Sequence, residues 1–488
     1  MITASTPICV VGAGTMGRGI AQTALAAGHS VTLVDPQEHQ LVAATGDIQA
    51  RLSKRHPSIA AELESRLTTC TSIPLSPSHP NTVVIEAVLE SLDVKSAVFT
   101  AAAEHFGPQC ILATNTSSLS VSAIAARCPL PTRVVGMHFF NPVPIMKLVE
   151  VVMGLQTDQQ VADAIDTLAV AWGKTVARVT NAPGFIVNRV ARGFYGEPLR
   201  LLQECVASPA TLDAIIRGSG QFRMGPFELM DLIGNDVNAA VTRTVWSAFN
   251  FDPRFEPSRI QDELVDAGRY GRKSGHGFYS YATEDIPAEA PAQVPLGAVA
   301  THAVRRGDSA ELDVVLERSG IAVTRDEHAP DAQAELVLDG TAIVITRGRT
   351  ARSESAARGG TPVVVLDRCI SVAEATAIAV ASSHVESLSA VAAMLHRAGI
   401  TAHPVSDVPG LVLARTLAVV ANEAWETTMH GVASPADIDI AMKLGTNYPA
   451  GPFEWTRGWS RAAVLELLDA LWSSYHDTRY RANRLLRD

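Results

Sequence analysis

Apolar residues in this chain follow two rhythms. In the first third they form short runs rich in β-branched residues: "ICVV" (8–11), "VTLVD" (31–35), "TVVIEAVLE" (82–90), "CILATNTSSLS" (110–120), "TRVVGMHFF" (132–140) and "KLVEVVMG" (147–154). Helix-like stretches such as "LDVKSAVFTAAAEHF" lie between them. Strand runs alternating with helices predict a mostly parallel, doubly wound α/β sheet with helices on its faces. From Pro183 the period becomes helical, and Ser208 with Pro209 supplies a cap and first-turn signal. An all-helical domain over 183–284 is therefore expected after a sheet domain over 1–182.

The helical pattern returns. "PGLVLARTLAVVANEAWETTMHGVASPADIDIAMKLGTNYPAGPFE" (409–454) matches "PGFIVNRVARGFYGEPLRLLQECVASPATLDAIIRGSGQFRMGPFE" (183–228) without a gap, at an offset of 409 − 183 = 226. Arg189 and Arg415, Glu197 and Glu423, and Asp213 and Asp439 all keep this offset. A second, truncated helical copy thus occupies 406–488. Before it, 298–405 reads as a degenerate version of the sheet domain, with strand-like "AELVLDG", "AIVITRGRT" and "TPVVVLDR". A Pro/Ala-rich linker over 285–297 separates the halves.

Composition narrows the class. Of the 488 residues 47% are hydrophobic, and the formal net charge is −10, which leaves no basic surplus for a nucleic acid partner. No apolar run reaches the ~20 residues of a membrane helix, and "MITASTPICVVGAG" carries no export signal. Six cysteines (Cys9, Cys70, Cys110, Cys128, Cys205, Cys369) without CxxC pairing fit a reducing cytoplasm and suggest no metal site.

The first candidate site is "ICVVGAGTMGRGIAQTALAAGHSVTLVD" (8–35), in which a strand, a glycine loop, a helix and a second strand close on Asp35. This is a Rossmann-type dinucleotide unit. Gly12 permits the tight turn, Gly14 lets backbone approach a pyrophosphate, and Gly17 allows close packing of helix on strand; Thr15 and Met16, which open the helix, are expected at the cofactor with them. Asp35 would accept from the ribose hydroxyls and repel a 2'-phosphate, so NAD is expected rather than NADP. A second cluster sits at predicted strand ends, where doubly wound sheets hold ligands: Glu90, Asn115, Ser117 and His138. An imidazole there suits proton transfer near neutrality. Glu150, inside the apolar "KLVEVV", needs a partner, and a carboxylate can orient the imidazole.

"NTSSLS", "HFFNPVPIMKLVEVV" and "PGFIVNR" together resemble the L-3-hydroxyacyl-CoA dehydrogenases, in order and spacing, over at least residues 7–280. The resemblance implies that His138 and Glu150 form the catalytic pair, and that Ser117 and Asn188 position the substrate's hydroxyl or carbonyl and its thioester. It also implies that Glu90, Lys95 and Asn141 contact the nicotinamide half of NAD, with Lys273 in "GRKSGHGFY" as a further cofactor contact. Coenzyme A contacts of the family lie on the helix after the second strand, where Lys54 and Arg55 stand in a sequence that departs from the pattern. Long duplicated chains of this kind resemble the 3-hydroxyadipyl-CoA dehydrogenases of phenylacetate breakdown and the 3-hydroxybutyryl-CoA dehydrogenases. The implied activity is NAD-dependent oxidation of an L-3-hydroxyacyl-CoA thioester. Two alternatives stay open: an NAD-linked dehydrogenase of a free hydroxy or sugar acid, and a non-catalytic NAD-binding protein.

The second half keeps none of this chemistry. It has no glycine fingerprint, Asp367 stands where His138 stands, Ala414 replaces Asn188, and "NTSS" is matched only by "GRTA". It is expected neither to bind a dinucleotide nor to catalyse, but to pair its helical copy with the first inside one chain, in place of an interface between chains. A homodimer of whole chains stays open beside that arrangement.

Overall fold

In the computed structural model, residues 3, 6–73, 81–281, 290–298, 300–326 and 334–488 are described. They form two compact units, one of Met1–Arg189 with Thr427–Thr446, the other of Val190–Glu426 with Asn447–Asp488.

The first unit is built on eight strands: β1 (Ile8–Val11), β2 (Val31–Val34), β3 (Leu67–Cys70), β4 (Val83–Glu86), β5 (Ile111–Thr114), β6 (Val134–Phe139), β7 (Leu148–Met153) and β8 (Thr175–Thr180). Their order is β3-β2-β1-β4-β5-β6-β7-β8, and every pairing is parallel except β6 with β7. Strands β1, β4, β5 and β6 are buried along their whole length, which is why they read as unbroken apolar runs. The edge strand β3, "LTTC", carries no such signal because its residues are half-buried or exposed. Strand order reverses between β1 and β4, so a crevice is expected at their carboxyl ends.

One segment of the second helical copy belongs to this unit. The helix Pro435–Thr446 lies along β7 and β8: Arg178 N–H donates to Asp437 Oδ1 (3.2 Å), Thr180 N–H donates to Val432 O (2.8 Å), and a Cβ on Gly445 would meet Leu148 Cδ2 at 2.8 Å. Gly445 is the small residue that lets this helix approach the sheet.

The second unit holds a seven-stranded sheet: β9 (His302–Arg306), β10 (Ala322–Arg325), β11 (Glu335–Leu338), β12 (Thr341–Ile345), β13 (Val363–Leu366), β14 (Ala377–Ser382) and β15 (Thr401–Pro404). The order is β10-β9-β11-β12-β13-β14-β15. Strand β9, the helix Ala310–Ser319 and β10 form a parallel βαβ unit like the one at the start of the chain, a likeness hidden in the sequence by the missing glycines. The difference is β11, a hairpin strand antiparallel to both of its neighbours. Of the expected linker, 285–289 lies outside the described residues. The rest is tied to this unit, with Val294 N–H on Ala402 O in β15 and Gly297 N–H on Ser389 O in the helix Leu388–Arg397.

The two helical copies meet inside this unit. A Cβ on Gly193 would lie 3.0 Å from Val420 Cγ2 and 3.2 Å from Val419 Cγ1, and 193 + 226 = 419. Arg415, wholly buried, donates from Nε to Glu197 Oε1 (2.6 Å) and from both Nη atoms to Glu204 (2.9 and 2.7 Å), with the Tyr475 and Tyr480 hydroxyls accepting as well. Five donors and five bonds leave no orphaned charge in the interface.

Candidate active site

The glycine loop has the geometry its spacing predicts. Gly12 has φ +105°, and a Cβ there would strike Ala87 O at 2.5 Å, while a Cβ on Gly17 would lie 1.7 Å from Gly12 O. Both positions exclude any other residue. Gly14 has nothing within 4 Å and is the uncapped N-cap of the helix Thr15–Ala26, whose first turn contains Thr15 and Met16. An open space at an uncapped helix N-terminus suits a pyrophosphate. Asp35, just past β2, is held by Ala13 N–H (2.8 Å) and Gln37 N–H (2.9 Å). These residues fit the phosphates and adenosine ribose of NAD.

His138 and Glu150 are direct cross-strand partners on the one antiparallel pair of the sheet. Their side chains meet at 2.6 Å, Nδ1 to Oε2, with the imidazole 6% exposed and the carboxylate fully buried. The other carboxylate oxygen, Oε1, accepts from Ile186 and Val187 N–H at 3.0 Å each, fixing the turn that begins the helix Val187–Val190 and carries Asn188. A carboxylate only accepts, so Nδ1 carries a proton, and in the neutral imidazole Nε2 is the nitrogen left to accept. Phe140 and Phe185 flank the ring at 4.6 and 5.7 Å between centroids.

Ser117 is presented by a turn that Glu90 organises. Glu90 Oε1 accepts from the Thr116 hydroxyl (2.6 Å), Ser117 N–H (3.1 Å), Ser118 N–H (3.1 Å) and the Ser118 hydroxyl (2.8 Å). Burial opposes its charge, but the Thr116 hydroxyl, the Lys95 ammonium and the Ser118 hydroxyl outweigh that effect and bring Glu90 down to about 2. Lys95 is 1% exposed and bonded to Glu86 (2.6 Å) and Glu90 (3.1 Å). Its ammonium is therefore engaged within the protein. Asn115 accepts from Phe139 N–H (2.9 Å), tying the end of β5 to β6 beside His138.

Glu86 escaped the sequence reading. It is fully buried at the end of β4, takes Lys95, the Thr114 hydroxyl (2.7 Å) and Val88 N–H (2.7 Å), and is pushed up by burial against the pull of Lys95. Its signal was present: a carboxylate closing the apolar run "VVIE", the same anomaly that marks Glu150.

Lys54 and Arg55 are exposed at the end of the helix Glu38–Arg55, and they line a cavity of about 500 Å³ together with Thr15 and Asn141. Lys273 belongs to the second unit, where its ammonium pairs with Asp236 at 2.6 Å.

A doubly wound sheet with a glycine loop at its strand reversal and a His–Glu pair at the carboxyl end of β6 defines an NAD-dependent dehydrogenase. Comparison with known proteins narrows the class. Residues 7–182 match the 3-hydroxyacyl-CoA dehydrogenase NAD-binding domain, 184–281 and 410–488 the C-terminal domain of that family, and 343–409 the 3-hydroxybutyryl-CoA dehydrogenase reduced Rossmann-fold domain. The chain is 43% identical to 3-hydroxyadipyl-CoA dehydrogenase of Escherichia coli K12, across 98% of this chain and 96% of that protein. A solved 3-hydroxybutyryl-CoA dehydrogenase from E. coli K12 superposes with a TM-score of 0.89 at 38% identity, covering 100% of this chain and 98% of the other. The mitochondrial hydroxyacyl-coenzyme A dehydrogenase of Sus scrofa is 35% identical, across 56% of this chain and 90% of its own length. The chain belongs to the 3-hydroxyacyl-CoA dehydrogenase family: it is an oxidoreductase that uses NAD to convert an L-3-hydroxyacyl-CoA into the 3-ketoacyl-CoA.

Proposed function

We propose that His138 is the general base of this reaction, that Glu150 orients it, and that the substrate is a short 3-hydroxyacyl-CoA of the 3-hydroxyadipyl type. The observation that carries the mechanism is the 2.6 Å contact between His138 Nδ1 and Glu150, which leaves Nε2 to take the hydroxyl proton. NAD, when bound, supplies the hydride acceptor. As the proton arrives, imidazolium forms against a carboxylate already in place, so little reorganisation accompanies the charge. Ser117 and Asn188 bind the reacting oxygen and the thioester in this reading, and Glu90 with Lys95 keeps the Ser117 turn rigid enough to aim it. Asn141 and Lys273 are assigned to the cofactor, Lys54 and Arg55 to coenzyme A.

The C6 dicarboxylic substrate is supported by the 43% identity along almost the whole chain to an enzyme named for it. A panel of 3-hydroxybutyryl-CoA, 3-hydroxyhexanoyl-CoA and 3-hydroxyadipyl-CoA, with the free hydroxy acids beside them, tests it by NADH formation. The highest kcat/KM with 3-hydroxyadipyl-CoA and none with free acids is expected; preference for a monocarboxylic chain would remove the substrate assignment.

The proposal extends to architecture. The five sequence modules (1–182, 183–284, 285–297, 298–405 and 406–488) act as one catalytic half and one supporting half, and the contacts of Gly193 with Val419 and of Arg415 with Glu197 support an internal pseudo-dimer of helical copies. None of the helices among the described residues is long and apolar enough to cross a membrane, and the free cysteines fit a cytoplasmic enzyme.

A further inference from the structure

A cavity of about 710 Å³ opens at the carboxyl ends of β9, β12 and β13 in the second unit. Doubly wound sheets hold ligands at this end, and the volume is within the range of small-molecule sites. One wall is the sheet, with Ile345, Arg347 and Arg368; the other is the second helical copy, with Trp459, Ser460 and Glu466.

This crevice has lost the features that bind a dinucleotide and gained others. After β9, the buried Arg305 donates to the carbonyls of Arg306, Ser309 and Glu335, so the turn offers oxygens to its own guanidinium where the first half has an open glycine. After β12, sheet register changes the residue correspondence that the sequence suggests. Leu112 pairs with Val134 and Ala342 with Val363, the first valine of each matching strand; five residues on stand Ser117 and Arg347, and eight on stand the helix caps Ser120 and Thr350. An arginine thus takes the place of the substrate-handling serine, and "GRTA" is not its counterpart. Gly348, with φ +100° and its Cβ position 2.5 Å from Ala470 Cβ, turns the chain so that Arg349 lines the same cavity.

Each lining arginine has a carboxylate beside it, but their N–H groups are not all used. Arg358 is bonded to Glu335 and Glu354, and Arg368 to Glu311 (3.1 Å) while lying over the Trp459 ring. Arg347 spends only Nε, on Glu466 (2.8 Å), and Arg349 bonds Ser353, with Glu354 3.5 Å away and already held by Arg358. Both side chains are about half exposed. Both Nη atoms of Arg347 and Nη1 of Arg349 have no acceptor among the described residues. We propose that this cavity is a second ligand site that binds a small organic anion, a carboxylate or phosphate ester, with its oxygens on Arg347 and Arg349 and its body against Ile345 and Trp459. Planar guanidinium forks are suited to either anion.

The test is calorimetric titration of the full chain, kept saturated with NADH so that the first glycine loop is filled, with inorganic phosphate, adipate and adenosine 5'-monophosphate. At least one probe should bind one to one with Kd below about 1 mM. Arg347→Gln and Arg349→Gln should each weaken it about tenfold or more, the worth of a charge-assisted hydrogen bond, with NADH-forming activity unchanged. Glu466→Gln should release Arg347 and tighten binding several-fold. Binding of phosphate and the nucleotide without adipate identifies a phosphate site, and adipate alone a carboxylate site. No heat from any probe, or an affinity indifferent to the double arginine variant, overturns the proposal. If the arginine variants melt early, the Glu466→Gln result decides: unchanged affinity there is equally fatal.

Discussion

Two buried carboxylates do the same structural work in the two halves of this chain, and only one of them also meets an imidazole. In the first half Glu150, on β7, accepts from Ile186 and Val187 N–H and holds His138 across the strand pair. In the second, Asp367 follows β13, the counterpart of β6, and accepts from Val412 (3.0 Å), Leu413 (2.7 Å) and Ala414 (3.0 Å) N–H, while its own N–H meets Ala379 O. Val412 and Leu413 are Ile186 and Val187 plus 226. The carboxylate has changed strands: His138 is replaced by the acid itself, and Ala379 stands where Glu150 stood. What persists is the clamp on a turn whose backbone is unusual in both copies, with Phe185 at φ +50° and Leu411 at φ +55°. The clamp therefore forms with or without an imidazole beside it.

The largest expected effect tests whether the catalytic half needs the other. Deleting 298–488 removes the helix Pro435–Thr446 from β7 and β8 and Arg415 from Glu197, exposing apolar surface and stranding a buried carboxylate. The fragment 1–297 should be insoluble or self-associate in size-exclusion chromatography with light scattering; a monomeric, fully active fragment would show that the comparison describes two independent halves.

Next come the paired residues. His138→Gln should keep NADH binding by fluorescence titration while kcat falls ~10² to 10⁴, and near-normal turnover would take His138 out of the mechanism. Glu150→Gln keeps an acceptor for the two N–H groups but loses the charge that stabilises imidazolium; kcat should fall by about 10² or more with little change in melting temperature.

Asp367→Ala should do the reverse. It leaves four backbone donors buried, including Arg368 N–H, and should cost about 2 to 4 kcal/mol of stability, with kcat of the folded enzyme within about twofold. Loss of turnover without loss of stability would give the second half a kinetic role. A pH series sharpens this. Burial pushes Asp367 up to about 6 from 3.8 despite its four N–H partners. The native state then binds the proton more tightly than the unfolded one, so this group's contribution to stability is fully present below about 3.8 and declines as pH rises to about 6. Asp367→Asn should flatten that decline in denaturant titrations.

The smallest effect concerns the cofactor. Asp35→Ala should weaken NAD and narrow its advantage over NADP, because both the ribose acceptor and the charge that repels a 2'-phosphate are gone. An unchanged kcat/KM ratio for the two cofactors would mean that another group reads the ribose.

Much of the first half was legible along the chain because its marked residues break the local pattern around them. Gly12 and Gly17 are compelled by backbone contacts within one βαβ unit, and Glu150 is a charge inside an apolar strand whose neighbour in register is His138. Local sterics and strand period suffice for these. Tertiary structure decided the rest. Lys95 lies on a helix that could equally have faced water, and only the fold brings Glu86 and Glu90 to its ammonium from residues 9 and 5 positions away in sequence. Arg347 takes the place of Ser117 through strand register, which the chain does not display where the hairpin strand β11 has altered the connections. The cavity beside it needs the second helical copy as its far wall. Long-range pairing between segments of weak local pattern is set by which packing buries the most surface with every polar group satisfied, and that balance exists only in three dimensions.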